Sequence, residues 1–437
     1  MKVLLIRPDA VGDMVLLTPT FSLLKQGMPD CKVSVLAREY TRPLLENNPD
    51  VDGILTKPEI KKAQFDAILH AYNEFPYVWM GFIKRIRYRV SDKSKILFSF
   101  LNNINSRQRF GDLRYHEAEH NLFLADALFD KIGIKRPEGF TPDPKIPLTS
   151  HPLPFTINDK AIGIHPGTGK GNRAWLPEKY ARVIDLLNER YPGMQLILTG
   201  GPADKENNQK IADLCRVRPL DLAGKTDLKA LIAVISKLKC FISVDTGPMH
   251  VAAALKVPVV AISPVKYVKP TRWGPYRTDQ VIIRNTSLCN IRCNPYKCDL
   301  GECMNGITPQ MVFEGVEKVL TGHAVRAADF KEYHIKKSAN ILICDDTRNR
   351  EGKKYYEILS RSDYSVLYLN KMPALDFIPK HDINIIHVFS ARARWFFKLL
   401  RPFVSPYLSN PPVIYCGESD KMSSGKELVE IYLDHGN

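Results

Sequence analysis

The hexapeptide DTGPMH (245–250) lies between two apolar runs, CFISV before it and VAAAL after it. Runs of this kind predict a buried strand that leads through a turn into a helix. Gly247 permits close approach of a ligand, Pro248 fits the first helical position, and the backbone N–H groups of Thr246 and Gly247 lie where an anion would be held. The turn therefore predicts a binding site for an anionic group such as a phosphate.

Two further turns carry acids near the start of a predicted helix. In RPDAVGDMVLLTP (7–19), Gly12 lets the backbone bend and Asp13 falls in the first helical turn, where a carboxylate complements the helix dipole. In LTGGPADKE (198–206), paired glycines open a helix and Asp204 follows them. A carboxylate at that position either accepts hydrogen bonds from the hydroxyls of a ribose or caps the helix.

The turn HPGTGKGNRAW (165–175) is rich in hydrogen-bond donors. It holds three glycines, the Thr168 hydroxyl and the cations Lys170 and Arg173. It lacks the GxxxxGK[ST] spacing of a Walker loop, but glycines combined with a hydroxyl and cations can surround a phosphate. This turn is therefore a second candidate for phosphate binding.

Strands and helices alternate along most of the chain, and this order predicts parallel βαβ units. In doubly wound sheets a ligand binds beyond the carboxyl ends of the strands, so the four turns are placed for binding. A stretch with six prolines and no periodicity, 135–155, predicts a linker between two such sheets. The predicted elements before it are strands 2–7, 32–37, 53–56 and 65–71 and helices 13–26 and 116–134. After it come strands 161–167, 195–201, 219–224, 240–245 and 258–263, with helices between them.

Three motifs occur in a fixed order: R-x4-G-D-x5-P (7–19), HPG followed by W-x-P (165–177), and DTGPMH (245–250). Together they resemble the motifs of the ADP-heptose:lipopolysaccharide heptosyltransferase family, glycosyltransferase family 9. The resemblance covers about three quarters of the chain, from residue 1 to about residue 320. It implies a GT-B fold of class α/β, in which two Rossmann-like doubly wound domains face each other across a cleft.

The resemblance also implies an inverting reaction that needs no metal or other cofactor for its chemistry. A heptose or related sugar would move from a nucleoside-diphosphate sugar, with ADP-heptose as the expected donor, to a lipopolysaccharide core or similar glycan. Asp13 would be the general base that takes the proton of the acceptor hydroxyl, and Gly12 would belong to the acceptor-side loop. An unperturbed aspartate is a weak base at neutral pH, so its position would matter more than its basicity.

Eight residues match the donor site of the family. A hydroxyl, one of the two cations in 165–175 and the N–H groups of the DTGPMH turn would hold the diphosphate. Asp204 would contact the ribose, and Asp245 and His250 would shape the pocket. For His250 an ordinary buried histidine with satisfied hydrogen bonds stays an alternative. The eight residues are Thr168, Lys170, Arg173, Asp204, Asp245, Thr246, Gly247 and His250.

We predict three α/β units: an acceptor domain over 1–150, a nucleotide-sugar domain over 151–325 and a small extension over 338–437. Within the extension, the run DINIIHVFSARARWFF resembles the opening domain of other GT-B glycosyltransferases, but no nucleotide-binding half follows it. The extension is therefore interpreted as an accessory unit or a remnant. Its predicted strands are 340–346, 365–370, 382–390 and 412–418.

Four of the nine cysteines fall within 15 residues, in a loop of the second domain (Cys289, Cys293, Cys298 and Cys303). Cysteines this close together can ligate a structural metal, although their spacings differ from the usual C-x2-C pairs. A crosslink or plain packing stays an alternative. The other five cysteines are scattered through apolar stretches as small hydrophobes.

The formal net charge of +15 predicts an acidic partner. Basic residues concentrate at 84–95 and 392–401, and each segment is either a contact for anionic lipid or a solvated helix face beside an ordinary core stripe. Because the basic clusters match no recognised nucleic-acid module, a nucleic-acid partner is not expected. The N-terminal apolar run is too short for a signal peptide, and a reducing cytoplasm, with peripheral contact at the inner membrane, is the predicted location. A non-catalytic nucleotide-sugar or glycan-binding protein is the alternative function, but such a protein would not need Asp13.

Overall fold

A computed structural model of the chain describes residues 1–92, 100–107, 114–148, 151–168, 174–263, 269–284, 302–322 and 325–326, and four strands between 340 and 416. These residues form three sheets, of six, seven and four strands.

The first sheet is parallel and has the strand order β3-β2-β1-β4-β5-β6. This is the doubly wound order with a switch point between β1 and β4. The strands are β1 Lys2–Ile6, β2 Lys32–Leu36, β3 Gly53–Leu55, β4 Ala67–His70, β5 Tyr88–Ser91 and β6 Ile104–Asn105. The helices are α1 Val11–Gly27, α2 Lys57–Lys62, α3 Phe75–Ile83 and α4 Glu117–Ile132, with a 3-10 helix at Glu39–Leu44.

The second sheet repeats this order from β7 onward, as β9-β8-β7-β10-β11-β12, so its switch point lies between β7 and β10. A two-residue antiparallel strand, β13, extends the β12 edge. The strands are β7 Ile162–His165, β8 Leu196–Leu198, β9 Leu220–Asp221, β10 Cys240–Val244, β11 Val259–Ile262, β12 Asp279–Ile283 and β13 Val325–Arg326. The helices are α5 Pro177–Arg190, α6 Lys205–Leu214, α7 Leu228–Ile235, α8 Gly247–Ala254, α9 Pro270–Trp273, α10 Glu302–Asn305 and α11 Pro309–Leu320, with a 3-10 helix at Pro202–Asp204.

The strands predicted in the C-terminal extension form a third, parallel sheet in the order β15-β14-β16-β17. They are β14 Asn340–Cys344, β15 Ser365–Leu369, β16 Ile385–Val388 and β17 Val413–Cys416. The segments between these strands, including the basic segment 392–401, lie outside the described residues.

The central strands form because both faces of each sheet are buried. Along β1, Val3 and Leu5 face the cluster that includes α1 and α4, whereas Leu4 and Ile6 face the cluster that includes α2 and α3. This period of two is that of a pleated strand. Both predicted doubly wound sheets are confirmed.

The two lobes meet where the N-terminal ends of α1 and α8 face each other. A methyl group built on Gly247 would lie 2.8 Å from Cβ of Val11, and one built on Gly12 would lie 2.7 Å from Cδ2 of His250. Only glycine leaves space for so close an approach of two backbones. The two glycines that the sequence places at helix starts therefore face each other across the lobes.

The structure corrects one interpretation of the basic segment 84–95, the solvated helix face. Tyr88–Ser91 forms β5, an inner strand between β4 and β6, with Val90 and Ser91 fully buried. The alternation of arginines with Ile86, Tyr88 and Val90 is the period of two of a strand, and the sequence interpretation overlooked it in favour of the charge. Sequence reasoning also missed α3, β6 and β12. Within the described part of the chain, no helix is long and apolar enough to cross a bilayer.

Candidate active site

The first switch point is built around Arg7, which follows β1 and is 5% exposed. Its guanidinium donates one hydrogen bond to the Ala71 carbonyl after β4, at 2.5 Å, and another to Oδ1 of Asp13. Nε lies 3.0 Å from Oδ1 of Asp9, and Nη2 lies 4.0 Å from Oε1 of Glu117. One buried cation thus gathers three carboxylates at the carboxyl ends of two adjacent strands.

These neighbours set the charge balance of the first switch point. Burial opposes the charge on Arg7, but the surrounding carboxylates, Asp13 first, raise its pKa overall. Burial raises the pKa of Asp9 to about 7, against the lowering effect of Arg7, and the charge of Asp13 adds to the rise. The Asp13 side chain is 23% exposed, so it is held by Arg7 and yet reachable from the cleft.

Glu117 links this cluster to the second lobe. Its Oε2 accepts two hydrogen bonds from Arg272, at 3.0 Å from Nε and 2.8 Å from Nη2, and both side chains are buried. Beside this pair, Nε2 of His116 lies 3.0 Å from the Gly274 carbonyl, and the His116 ring stacks on Tyr276 at 4.3 Å. A continuous polar bridge therefore runs from α9 to the carboxylate predicted to be the base.

The second switch point lies at the carboxyl ends of β7 and β10. Thr246 and Gly247 begin α8 there, as the sequence predicts, and Thr168 follows β7 as a partly buried residue. Thr246 Oγ1 lies 3.1 Å from Ser243 Oγ, which fixes the turn. Lys170 and Arg173 lie outside the described residues, so the structure does not distinguish between these two cations.

The charge of Asp13 affects the pKa values of two side chains of the second lobe, Asp245 and His250. Burial raises the pKa of Asp245 to about 7, and the charge of Asp13 adds to this rise. Burial lowers the pKa of His250 to about 4, although Asp13 opposes the shift. The structure thus brings Asp13, Asp245 and His250 into one site. The buried Nδ1 of His250 makes no hydrogen bond to the described residues, contrary to the alternative of an ordinary, fully satisfied histidine.

Asp204 lies in the 3-10 helix that follows β8, the strand next to β7 in the second sheet. Its Oδ2 accepts a hydrogen bond of 2.7 Å from the Gly201 amide, so the carboxylate caps its helix. Methyl groups built on Gly167 or Gly200 would lie 2.7 Å from Asp204 atoms. The capping interpretation is therefore observed, and contact with a ribose stays a prediction.

The predicted metal site at the cysteine loop stays untested. Cys289, Cys293 and Cys298 lie outside the described residues, and Cys303 is buried in α10. Among the described residues, no group of three or more histidine, cysteine or acidic side chains is arranged to hold a metal ion.

Sequence reasoning missed Asp9, Glu117 and Arg272. Asp9 lies inside the RPDAVGD motif, and Glu117 is an acid in the first turn of a predicted helix, so each had a weak local signal. Arg272 had none, because its partner is 155 residues away in the chain.

Two doubly wound lobes with facing switch points define the GT-B fold. The family model of glycosyltransferase family 9 (heptosyltransferase) matches residues 56–303, more than half of the chain, and the chain belongs to this family. It is therefore a glycosyltransferase.

Named relatives support this assignment. The chain is 28% identical to lipooligosaccharide heptosyltransferase 2 of Haemophilus ducreyi, over 73% of this chain and 99% of that one. It is 28% identical to lipopolysaccharide heptosyltransferase 3 of Escherichia coli, over 57% and 79%. The solved structure of E. coli ADP-heptose lps heptosyltransferase II superposes with a TM-score of 0.60 at 22% identity, over 74% of this chain and 99% of that one. That likeness confirms the fold.

Proposed function

We propose that the protein transfers a heptose from ADP-heptose to a lipopolysaccharide core acceptor, with inversion at the anomeric carbon. The observation that carries this proposal is the position of Asp13, which Arg7 holds at the mouth of the cleft, facing the start of α8. The named relatives support the sugar and the acceptor, because both relatives above are heptosyltransferases of lipopolysaccharide or lipooligosaccharide.

In the proposed reaction, Asp13 accepts the proton of an acceptor hydroxyl while the oxygen attacks the anomeric carbon. The new bond joins that oxygen to the carbon, the bond from the carbon to the diphosphate breaks, and ADP leaves from the opposite face. Oδ1 of Asp13 accepts a hydrogen bond from Arg7, so Oδ2 is the oxygen suited to accept the proton. This requirement for attack opposite the leaving group explains why the base and the donor turn lie in different lobes.

Fixed donors would stabilise the charge that develops on the diphosphate, since no metal is needed in this mechanism. The donors proposed are the Thr168 hydroxyl, the N–H groups of Thr246 and Gly247, and one of Lys170 and Arg173. Asp245 would be tolerated beside the diphosphate because burial raises its pKa to about 7. Near neutral pH, Asp245 is then protonated in about half of the molecules, and a protonated acid does not repel an anion.

The location proposed is the cytoplasmic side of the inner membrane, where a lipid-anchored acceptor would be met. The net charge of +15 and the basic segment 84–95 support peripheral contact with an anionic surface.

Mass spectrometry of the product tests the function. The full chain is incubated with a panel of nucleotide sugars and a truncated lipopolysaccharide core. We expect one heptose to be added from ADP-heptose. The anomeric configuration of the new linkage should be opposite to that of the donor. Binding of ADP-heptose without any product would support the non-catalytic alternative instead.

Calorimetry with ADP and no added magnesium tests the donor site. Of Lys170→Ala and Arg173→Ala, we expect one to weaken binding about 10- to 100-fold, because a charge-assisted hydrogen bond to phosphate is lost. Unchanged binding in both variants would remove this loop from the site.

A further inference from the structure

Helix α3 carries an exposed apolar stripe on the first lobe. Phe75, Trp79, Phe82 and Ile83 are 42–57% exposed, whereas the opposite face of the helix packs on the sheet. The Phe75 and Trp79 rings lie 6.0 Å apart at 14°, and the Trp79 and Phe82 rings lie 5.7 Å apart at 26°. Single exposed hydrophobic residues are ordinary on a protein surface, but a stacked row of them marks an interaction surface.

Exposed cations border the end of this stripe. Arg85 and Arg87 follow α3, and Lys61 and Lys62 lie at the end of α2. Lys84 donates a hydrogen bond of 2.9 Å to the carbonyl that directly follows α2, so the two helix ends are held together. Four exposed positive charges therefore lie near the C-terminal end of the stripe.

The stripe starts close to the cleft. Phe75 begins α3 four residues after Ala71, whose carbonyl accepts a hydrogen bond from Arg7. A surface that holds the stripe would therefore be close to the carboxylate of Asp13, on the lobe assigned to the acceptor.

We propose that α3 docks the first lobe on an anionic lipid bilayer, with the stacked rings in the interfacial layer and the four cations on the headgroups. Aromatic rings favour the level of the headgroups, and basic residues beside an apolar helix face are typical of helices that lie in this layer. The proposal rests on the proposed function only in that it explains how a lipid-anchored acceptor would reach Asp13.

Charge argues against a second copy of the chain as the occupant. A symmetric contact through the stripe would place the same surface on both partners. The exposed cations of both copies would then repel each other at the contact, whereas anionic headgroups attract them.

Flotation of the full chain with vesicles tests the docking. Vesicles of phosphatidylglycerol and phosphatidylethanolamine, without lipopolysaccharide, should bind the protein, and salt should weaken the binding. Trp79→Ser combined with Phe82→Ser should lower the partition coefficient about 10- to 100-fold, because two apolar anchors are removed. The matched control is Leu214→Ser with Val217→Ser, two exposed apolar residues of the second lobe, which should bind as the parent does.

Equal binding by the α3 variant and the control would overturn the proposal. So would a stable dimer of the parent in sedimentation without vesicles that the α3 variant loses, since that result would assign the stripe to a second copy.

Quenching by brominated lipid locates the contact. Brominated phosphatidylglycerol in the vesicles should quench the tryptophan fluorescence of the parent, and Trp79→Phe should remove most of this quenching. Trp395→Phe is the comparison, because Trp395 lies in the other basic segment. Quenching that persists in Trp79→Phe and disappears in Trp395→Phe would place the contact in the extension and refute the assignment to α3.

Activity separates this inference from the proposed function. The Trp79 and Phe82 double variant should retain parental turnover on a soluble, delipidated acceptor and lose most of its turnover on acceptor embedded in vesicles. If the parent shows no transfer to either acceptor, the proposed function fails, whereas the vesicle measurements still decide the role of α3. Equal turnover of the variant and the parent on acceptor embedded in vesicles would overturn the proposal that α3 docks on the bilayer.

Discussion

The helices that begin at the two switch points, α1 and α8, are in contact, but the charged side chains at the two points differ. At the first, the buried Arg7 is paired with carboxylates and holds Asp13 at the cleft. At the second, burial lowers the pKa of His250 to about 4, so this side chain is neutral near neutral pH, and burial raises the pKa of Asp245 to about 7, so about half of this carboxyl is protonated there. The difference shows that a similar strand-turn-helix unit can present an ion-paired carboxylate on one lobe and, on the other, titratable side chains whose charge is reduced by burial.

The largest expected effect is at Asp13. Asp13→Asn keeps an oxygen for Arg7 but cannot accept the acceptor's proton, so kcat should fall about 10²- to 10⁴-fold while ADP affinity stays near parental. Asp9→Asn is the matched control, because Asp9 also pairs with Arg7 and its pKa of about 7 makes a neutral amide a close substitute. Steady-state kinetics would contradict the assignment if the two variants lost equal activity.

The second effect concerns the bridge between the lobes. Glu117→Gln replaces the buried carboxylate that accepts two hydrogen bonds from Arg272 with a neutral amide, and the free energy of unfolding should fall by about 3 kcal/mol. Lys229→Met breaks an exposed ion pair with Glu46 and should cost less than about 1 kcal/mol. Urea unfolding of both variants makes the comparison. Similar small losses would show that the buried bridge contributes no more than a surface pair.

The third effect is steric and tests the contact of the two helix starts. In Gly247→Ala the new methyl would lie 2.8 Å from Cβ of Val11, and the lobes must move apart to relieve the overlap. We expect kcat to fall about 10- to 100-fold, because a displacement near 1 Å misaligns the reacting groups. Gly53→Ala, where a methyl would meet Ser34 Oγ at 3.3 Å on the edge strand β3, should be almost silent. A fully active Gly247→Ala variant would show that the helix starts need not be this close.

The smallest effect is a pH dependence of stability. The folded pKa of Asp245, about 7, lies above the usual value for aspartate, so the folded protein binds the extra proton and its stability falls as pH rises from about 4 to 7. The parent should therefore lose about 2 kcal/mol of unfolding free energy relative to Asp245→Asn as the pH is raised from 5 to 8.

His250 supplies a control of opposite sign for this pH measurement. Its folded pKa, about 4, is below the usual value, so its contribution to stability is lost as pH falls from about 6.5 to 4. The unfolding free energy of the parent, relative to that of His250→Gln, should therefore rise as the pH is raised from 4 to 6.5. A flat difference for Asp245→Asn would indicate that this carboxylate is solvated as an ordinary surface acid.

The sequence by itself determined the two repeated sheets and the turns that face the cleft. Apolar runs closed by glycine and proline specify strands and helix starts locally, and the switch-point order then places the turns of residues 7–19 and 245–250 at carboxyl ends of strands. The positions of Asp13, Thr246, Gly247 and His250 near the starts of the two facing helices could be predicted for this reason, and their roles stay predictions. The roles of Lys170, Arg173 and the cysteine loop stay predictions, since the described residues do not include them.

Only the tertiary structure decided which distant side chains meet and which faces stay uncovered. Glu117 and Arg272 are 155 residues apart and carry no shared pattern, so their pairing follows from the way the lobes pack. The basic segment 84–95 contains a strand because Tyr88–Ser91 pairs with β4, and the tertiary structure decided between this pairing and a helix. Helix α3 has apolar residues on both of its faces, so the sequence does not show which face is buried. Packing on the sheet decides which face remains exposed.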